Sequence, residues 1–178
     1  MTILPVTESD LPQILALQKA AFESEARLVE NWDIPPLTQT LEELVEEWRV
    51  GVVLKALDGQ TLAGTVRAHH AEGTAHIGRL AVLPQWQGRG YGSALMTAIL
   101  SAIKAARYEL FTSAKSDRNL RLYEKFGFVP YKKAQTANGV ELVWLEKISK
   151  LVKACEWLCS QFGIYLENVP RRSKSLVI

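Results

Sequence analysis

The sequence predicts a single α/β domain: a central mixed, mostly antiparallel sheet flanked by helices, with an extra amphipathic helix at the C-terminal end. Three observations predict it. From Val52 the apolar spacing changes from helical to strand-like, and three such runs follow, separated by Asp58-Gly59 and Glu72-Gly73, as in an antiparallel meander. A turn with glycines at 88, 90 and 92 then joins the third run to an amphipathic helix and a further strand, and such a crossover is right-handed and joins parallel strands. Finally, two runs flank Asn138-Gly139, a turn that closes a hairpin. With 178 residues, 48% of them hydrophobic, the chain can bury one ordinary core and needs no second domain.

Taken in order, residues 2–6 read as a strand, and Asp10 reads as the cap of a helix, with Gln13 reaching back and Pro12 tolerated in the first turn. Leu11, Ile14, Leu15, Leu17, Ala21 and Phe22 form its inward face. Residues 23–38, with mixed charge and Pro35-Pro36, read as a loop or short broken helix able to set specificity. Helical spacing resumes over 40–49 through Leu41, Leu44, Val45 and Trp48. Strands are expected at 52–57, 61–71 and 75–83, a helix at 89–106, a strand at 108–112 and a short helix at 117–126 stopped by Gly127. The closing hairpin spans 128–134 and 140–146. Leu151, Val152, Cys155, Leu158, Cys159 and Phe162 mark the last helix, so the expected division is a domain over 1–147 and a helical extension with a basic tail over 148–178.

Composition excludes several classes. Twenty-one basic and nineteen acidic residues leave a formal net charge of +2, too little for a dedicated nucleic-acid binder, and the tail Pro170-Arg171-Arg172-Ser173-Lys174 reads as a solvated end. The first residues lack a leader pattern and no apolar run reaches membrane-spanning length, so a cytoplasmic protein without membrane partners is expected. Cys155 and Cys159 are four apart on a predicted helix, farther than a disulfide prefers, and two thiols without nearby histidines fall short of a zinc set. No metal is expected.

The glycine turn carries the chemistry. Without Cβ atoms, residues between a strand and a helix let an anion approach several backbone N–H groups, and the helix adds its positive end. A phosphate or pyrophosphate is the favoured ligand. No Gly-Lys-Ser/Thr follows and the spacing is not GxGxxG, which weakens nucleoside triphosphate and NAD. The segment Gln87-Gly88-Arg89-Gly90-Tyr91-Gly92 resembles the Q/R-x-x-G-x-G/A signature of the GCN5-related N-acetyltransferase (GNAT) superfamily. Asn119-Leu120-Arg121-Leu122-Tyr123-Glu124-Lys125-Phe126-Gly127-Phe128 resembles that family's second segment, N-x-x-A-x-x-x-Y-x-x-x-G-F, without its small residue.

The resemblance covers about residues 1–147 and implies acetyl-CoA as co-substrate, direct attack of a primary amine in a ternary complex, and no enzyme nucleophile. It implies that Leu80, Ala81 and Val82 pair their backbone with the pantetheine arm, with an N–H near Val82 facing the thioester carbonyl. Gln87, Gly88, Arg89, Gly90, Tyr91, Gly92 and Ser93 would hold the pyrophosphate, Asn119 would hydrogen-bond the cofactor, and Lys115, Arg118 and Arg121 could meet the adenosine phosphates. Tyr123 is the expected proton donor to the departing thiolate, and His76 falls where the family often carries a catalytic Glu. The acceptor, a small-molecule or peptide amine, has no signature. The alternative reading is a non-catalytic acyl-CoA-binding module, and the last helix either covers a core edge or makes a homodimer.

Overall fold

The computed structural model describes residues 1–149, so the predicted C-terminal helix lies outside the described residues. Strand β1 (Thr2–Pro5) leads through one 3-10 turn (Glu8–Asp10) into helix α1 (Leu11–Val29). Asp10 does not cap α1 with its side chain. Its carboxylate instead turns back to accept from the Thr7 N–H and hydroxyl, both at 2.7 Å, and from Lys55 Nζ at 2.6 Å. Helix α1 also runs well past residue 22, because nothing between 23 and 29 breaks it. It ends at Glu30, which adopts the left-handed φ of 55°. A single turn, α2 (Pro35–Thr38), precedes α3 (Leu41–Val50), where Thr40 and Glu43 form a reciprocal capping box.

Strands β2 (Val52–Asp58), β3 (Thr61–Ala71) and β4 (Thr74–Val82) make the meander. Helix α4 (Tyr91–Ala102) crosses to β5 (Arg107–Ser113), and α5 (Asp117–Lys125) leads to the hairpin β6 (Val129–Gln135) and β7 (Glu141–Ile148). Helix α4 is shorter than its apolar spacing predicts, for Ile103 is already extended. The seven strands form one sheet in the order β1-β2-β3-β4-β5-β7-β6, antiparallel throughout except for β4 with β5. Helix α4 covers one face, packing Leu95, Met96 and Ile99 against β2, β3 and β4. Helices α1 and α3 cover the other through Leu11, Ile14 and Leu44.

Two features of β4 create the site. Its parallel pairing with β5 is confined to Thr74, Ala75 and His76 opposite Arg107, Tyr108 and Glu109. Beyond His76 the strands part, and among the described residues one edge of β4 is left without a neighbouring strand. Against β3, Thr65 pairs with Ala81 while Arg67 pairs with Gly78, so β4 carries one extra residue there. This bulge places Arg79 at a positive φ of 50° and bends the free edge.

Candidate active site

The gap between β4 and β5 opens into a cleft of about 890 Å³ walled by the end of α1, the loop before α2, the free edge of β4, the glycine turn and α5. Leu80, Ala81 and Val82 lie along it, with Gln87, Gly88, Gly92, Asn119 and Tyr123 at its walls. Arg89 and Gly90 are exposed beside the turn, and Ser93 lies in the first turn of α4, none of them among the lining residues. The Tyr91 side chain is buried with the α4 core, its hydroxyl toward Asp58, so at that position the backbone is what remains for a ligand.

The turn is shaped for an anion. Gly88 and Gly90 have φ of 77° and 89°, conformations that L side chains adopt at a cost. Gly90 caps α4, whose first N–H groups have no intrahelical acceptor. Gln87 ties this turn to the rest of the cleft: its amide nitrogen donates to the Val82 carbonyl at 2.9 Å, and its amide oxygen accepts from Arg118 of α5. Lys115, Arg118 and Arg121 face the same cleft, so cations stand near the glycines. An unpaired strand edge, an open glycine turn and these cations fit a phosphorylated ligand with a long amide-bearing arm, as in coenzyme A.

Tyr123 comes from α5, is 7% exposed, and meets Phe128 edge-to-face with ring centroids 6.3 Å apart. Burial, and then the negative field of Glu25, push its hydroxyl well above the usual phenol range, so it holds its proton at neutral pH. Asn119, one turn earlier, donates to Glu25 Oε1 at 3.0 Å and to Thr112 Oγ1 at 3.4 Å. Ser116 Oγ donates to the same Glu25 oxygen at 2.9 Å. Glu25 thereby links α1 to the start of α5.

His76 is not brought into this cleft. It sits at the last paired position of β4, with Nδ1 3.3 Å from Glu109 and its ring stacked on His69 at 5.3 Å. Glu109 is drawn into its own cluster: burial pushes its carboxyl up, but hydrogen bonds from Tyr131 and Arg107 outweigh this and hold it below the ordinary range.

Glu25 and Arg79 are charged residues of the cleft that belong to neither sequence motif and that the sequence reading does not single out. Glu25 follows the face of α1 one turn beyond Ala21 and Phe22, and would be visible once α1 is carried past residue 22. For Arg79 the signal is a charged residue directly before the apolar run Leu80-Ala81-Val82.

Comparison with known proteins agrees with this geometry. Residues 11–128 match the Acetyltransferase (GNAT) family. An uncharacterized N-acetyltransferase of Bacillus subtilis, CgeE, is 36% identical over 75 residues, which are 41% of this chain and only 29% of that protein. The ribosomal-protein-S18-alanine N-acetyltransferase of Escherichia coli superposes with a TM-score of 0.68 at 17% identity, over 83% of this chain and 92% of its own. A Salmonella typhimurium protein, YncA, solved with its cofactor acetyl-CoA, superposes with a TM-score of 0.67 at 14% identity, over 83% and 93%. At these identities the superpositions speak to the fold. Among the described residues no helix is long and apolar enough to cross a membrane, and no cluster of metal-ligating side chains occurs.

Proposed function

Because the chain belongs to the acetyltransferase (GNAT) family, we propose that it moves an acetyl group from acetyl-CoA to a primary amine of a small molecule or peptide, by direct attack in a ternary complex. The observation that carries this reading is the free edge of β4, which runs from the glycine turn at one end to the bulge at the other, with Tyr123 lining the same cleft. A strand edge with unmet N–H and C=O groups binds an extended amide arm as it would a further strand. The turn and the start of α4 offer N–H groups to phosphates. Bound acetyl-CoA supplies an acyl group already activated as a thioester.

The remaining work falls to side chains and backbone already in place. An N–H of the free edge is the donor for negative charge developing on the acyl oxygen, a contribution worth about 3 kcal/mol where single donors have been removed. The Tyr123 hydroxyl, kept protonated by burial and by Glu25, gives its proton to the departing sulfur. An amine is mostly protonated at neutral pH and must lose a proton before it attacks. Glu25 and Asp33 are carboxylates of the cleft, and Glu25, fixed by Ser116 and Asn119, is assigned as the first acceptor in a relay to water. A binding-only module would have no use for a buried phenol facing a carboxylate, which favours catalysis.

Calorimetric titration with acetyl-CoA tests the reading, using the wild type and Gly92→Trp. Gly92 lines the cleft in the first turn of α4, and a Cβ there meets only Leu122 at 3.5 Å, an ordinary contact. The backbone accepts a side chain at this position while the cleft does not. Saturable binding by the wild type and its loss in a folded variant are expected. Failure of the wild type to bind acetyl-CoA or longer acyl-CoAs would remove the proposal.

A further inference from the structure

Arg79 is placed at some cost, and no hydrogen bond or ion pair holds it among the described residues. It holds a left-handed backbone conformation at the bulge, a strained state for a residue other than glycine. Its Nε is buried and meets no hydrogen-bond acceptor among the described residues. It forms the wall between the main cleft and a second cavity of about 580 Å³ lined by α2 and α3, and so faces both. The acids around that cavity are engaged elsewhere or solvated: Glu47 holds Arg67 Nε at 2.8 Å, Glu43 caps Thr40 at 2.9 Å, and Glu46 is exposed. Arg67 is further engaged by Gln39 at 2.9 Å. Burial lowers the hold of Arg79 on its proton and Glu47 offsets this only in part. Arg79 is half-buried, and a guanidinium with its Nε withdrawn from water and no carboxylate bound to it among the described residues is stabilised by an anion that reaches its remaining N–H groups from the cleft.

Apolar side chains make up much of the cleft wall. Phe22, Leu28, Ile34, Phe111 and Leu142 line it, and Leu28 and Phe111 remain 41% and 52% exposed. The bulge carrying Arg79 lies on the free edge of β4, where the acyl group would be presented under the proposed function. We propose that Arg79 reads a carboxylate on the acceptor, and that the acceptor class is an amine carrying a carboxylate and an apolar body, an apolar amino acid being its simplest member. This inference rests on the acetyltransferase reading. The planar guanidinium offers paired N–H donors that match a carboxylate, and Phe22, Leu28 and Ile34 take the hydrocarbon. In the transfer the amine nitrogen forms the new bond to the acyl carbon, the carbon–sulfur bond breaks, one proton leaves the nitrogen and one is given to the sulfur. The carboxylate takes no part in these bonds and serves only to orient the amine.

The test measures thiol release from acetyl-CoA with a panel of L-amino acids and the same panel as amides, for wild type, Arg79→Gln and Arg79→Gly. Glycine suits the left-handed backbone at this position, so the second variant keeps the fold if the first does not. Acetyl-CoA affinity is measured in parallel by calorimetry. The expected result is a wild-type preference for the apolar acids over their amides of roughly 10- to 100-fold in kcat/KM, the range given by one charge-assisted pairing. Both variants should level that preference, mainly through KM, while acetyl-CoA still binds. Equal use of acids and amides by the wild type, a preference that survives both variants, or no transfer to either panel by a protein that binds acetyl-CoA would each overturn the assignment of Arg79. Failure to bind acetyl-CoA at all would instead overturn the acetyltransferase reading, and this inference with it.

Discussion

Replacing Tyr123 by Phe isolates the proton-transfer step, because the structure says what else the change should leave alone. The ring packs edge-to-face on Phe128 and is 7% exposed, so phenylalanine keeps the shape of the site, and loss of the hydroxyl should alter stability by no more than about 1.5 kcal/mol. If the hydroxyl protonates the leaving sulfur, its removal costs the share of a general acid, about 10²- to 10⁴-fold in rate or roughly 3–5 kcal/mol of barrier. Single-turnover acetyl transfer, which separates chemistry from product release, should show that loss with acetyl-CoA affinity unchanged. Alkaline pH gives a second check. Burial and Glu25 raise the phenol above its ordinary 10.0, so the donor stays protonated through neutral pH and wild-type turnover should show no loss from this group until above pH 10. The same raised value means that the folded state holds the proton more tightly than the unfolded one. Its contribution to stability is present below pH 10 and is lost above it, and that fall should be absent in Tyr123→Phe. A single-turnover rate within about threefold of the wild type would show that water or another group protonates the sulfur.

Two further substitutions test how the scaffold holds the cleft. Asp10 is held at about 2, below its ordinary 3.8, by the hydrogen bond from Lys55 and then by the Thr7 backbone N–H, so Asp10→Asn should cost roughly 1–2 kcal/mol at neutral pH. Because the folded value is depressed, that difference should persist above pH 4 and vanish as pH falls to 2, which urea midpoints of both proteins will show; a gap independent of pH would assign the effect to packing. Gly64→Ala would set a Cβ 2.7 Å from the Ala81 carbonyl and 3.1 Å from Leu95 and Val82 side-chain carbons. The contact should destabilise the protein by about 1–3 kcal/mol and push on β4, lowering acetyl-CoA affinity; unchanged affinity in calorimetry would mean that the free edge tolerates displacement.

What was legible in the sequence follows from how local each determinant is. The meander, the crossover and the closing hairpin rest on apolar period and turn residues within a few positions of one another, and the strands at Thr61–Ala71 and Glu141–Ile148 appear close to where those signals place them. Asp10 stands at the N-cap of α1 as its position predicts, but its carboxylate is taken by Thr7 and by Lys55, and the contact with Lys55, 45 residues away, is invisible to a local pattern. The cleft itself depends on β4 and β5 ceasing to pair after His76 and Glu109 and on the bulge that follows, long-range features that no window of sequence contains. The same cause explains His76. In an unbroken parallel pair it would be one strand residue among equals with Leu80, but parting of the strands four residues short of Leu80 puts the two in different environments. Motif residues such as Gln87 and Gly88 could be found because a tight turn at positive φ constrains the backbone directly, and backbone constraints leave glycines behind. The acceptor imposes no such constraint. In the proposed complex it would meet side chains from α1, the loop before α2 and the bulge, and the sequence gives Glu25 and Arg79 no motif, so their part in the site is visible only once the fold lines one cleft with them, Tyr123 and the free edge.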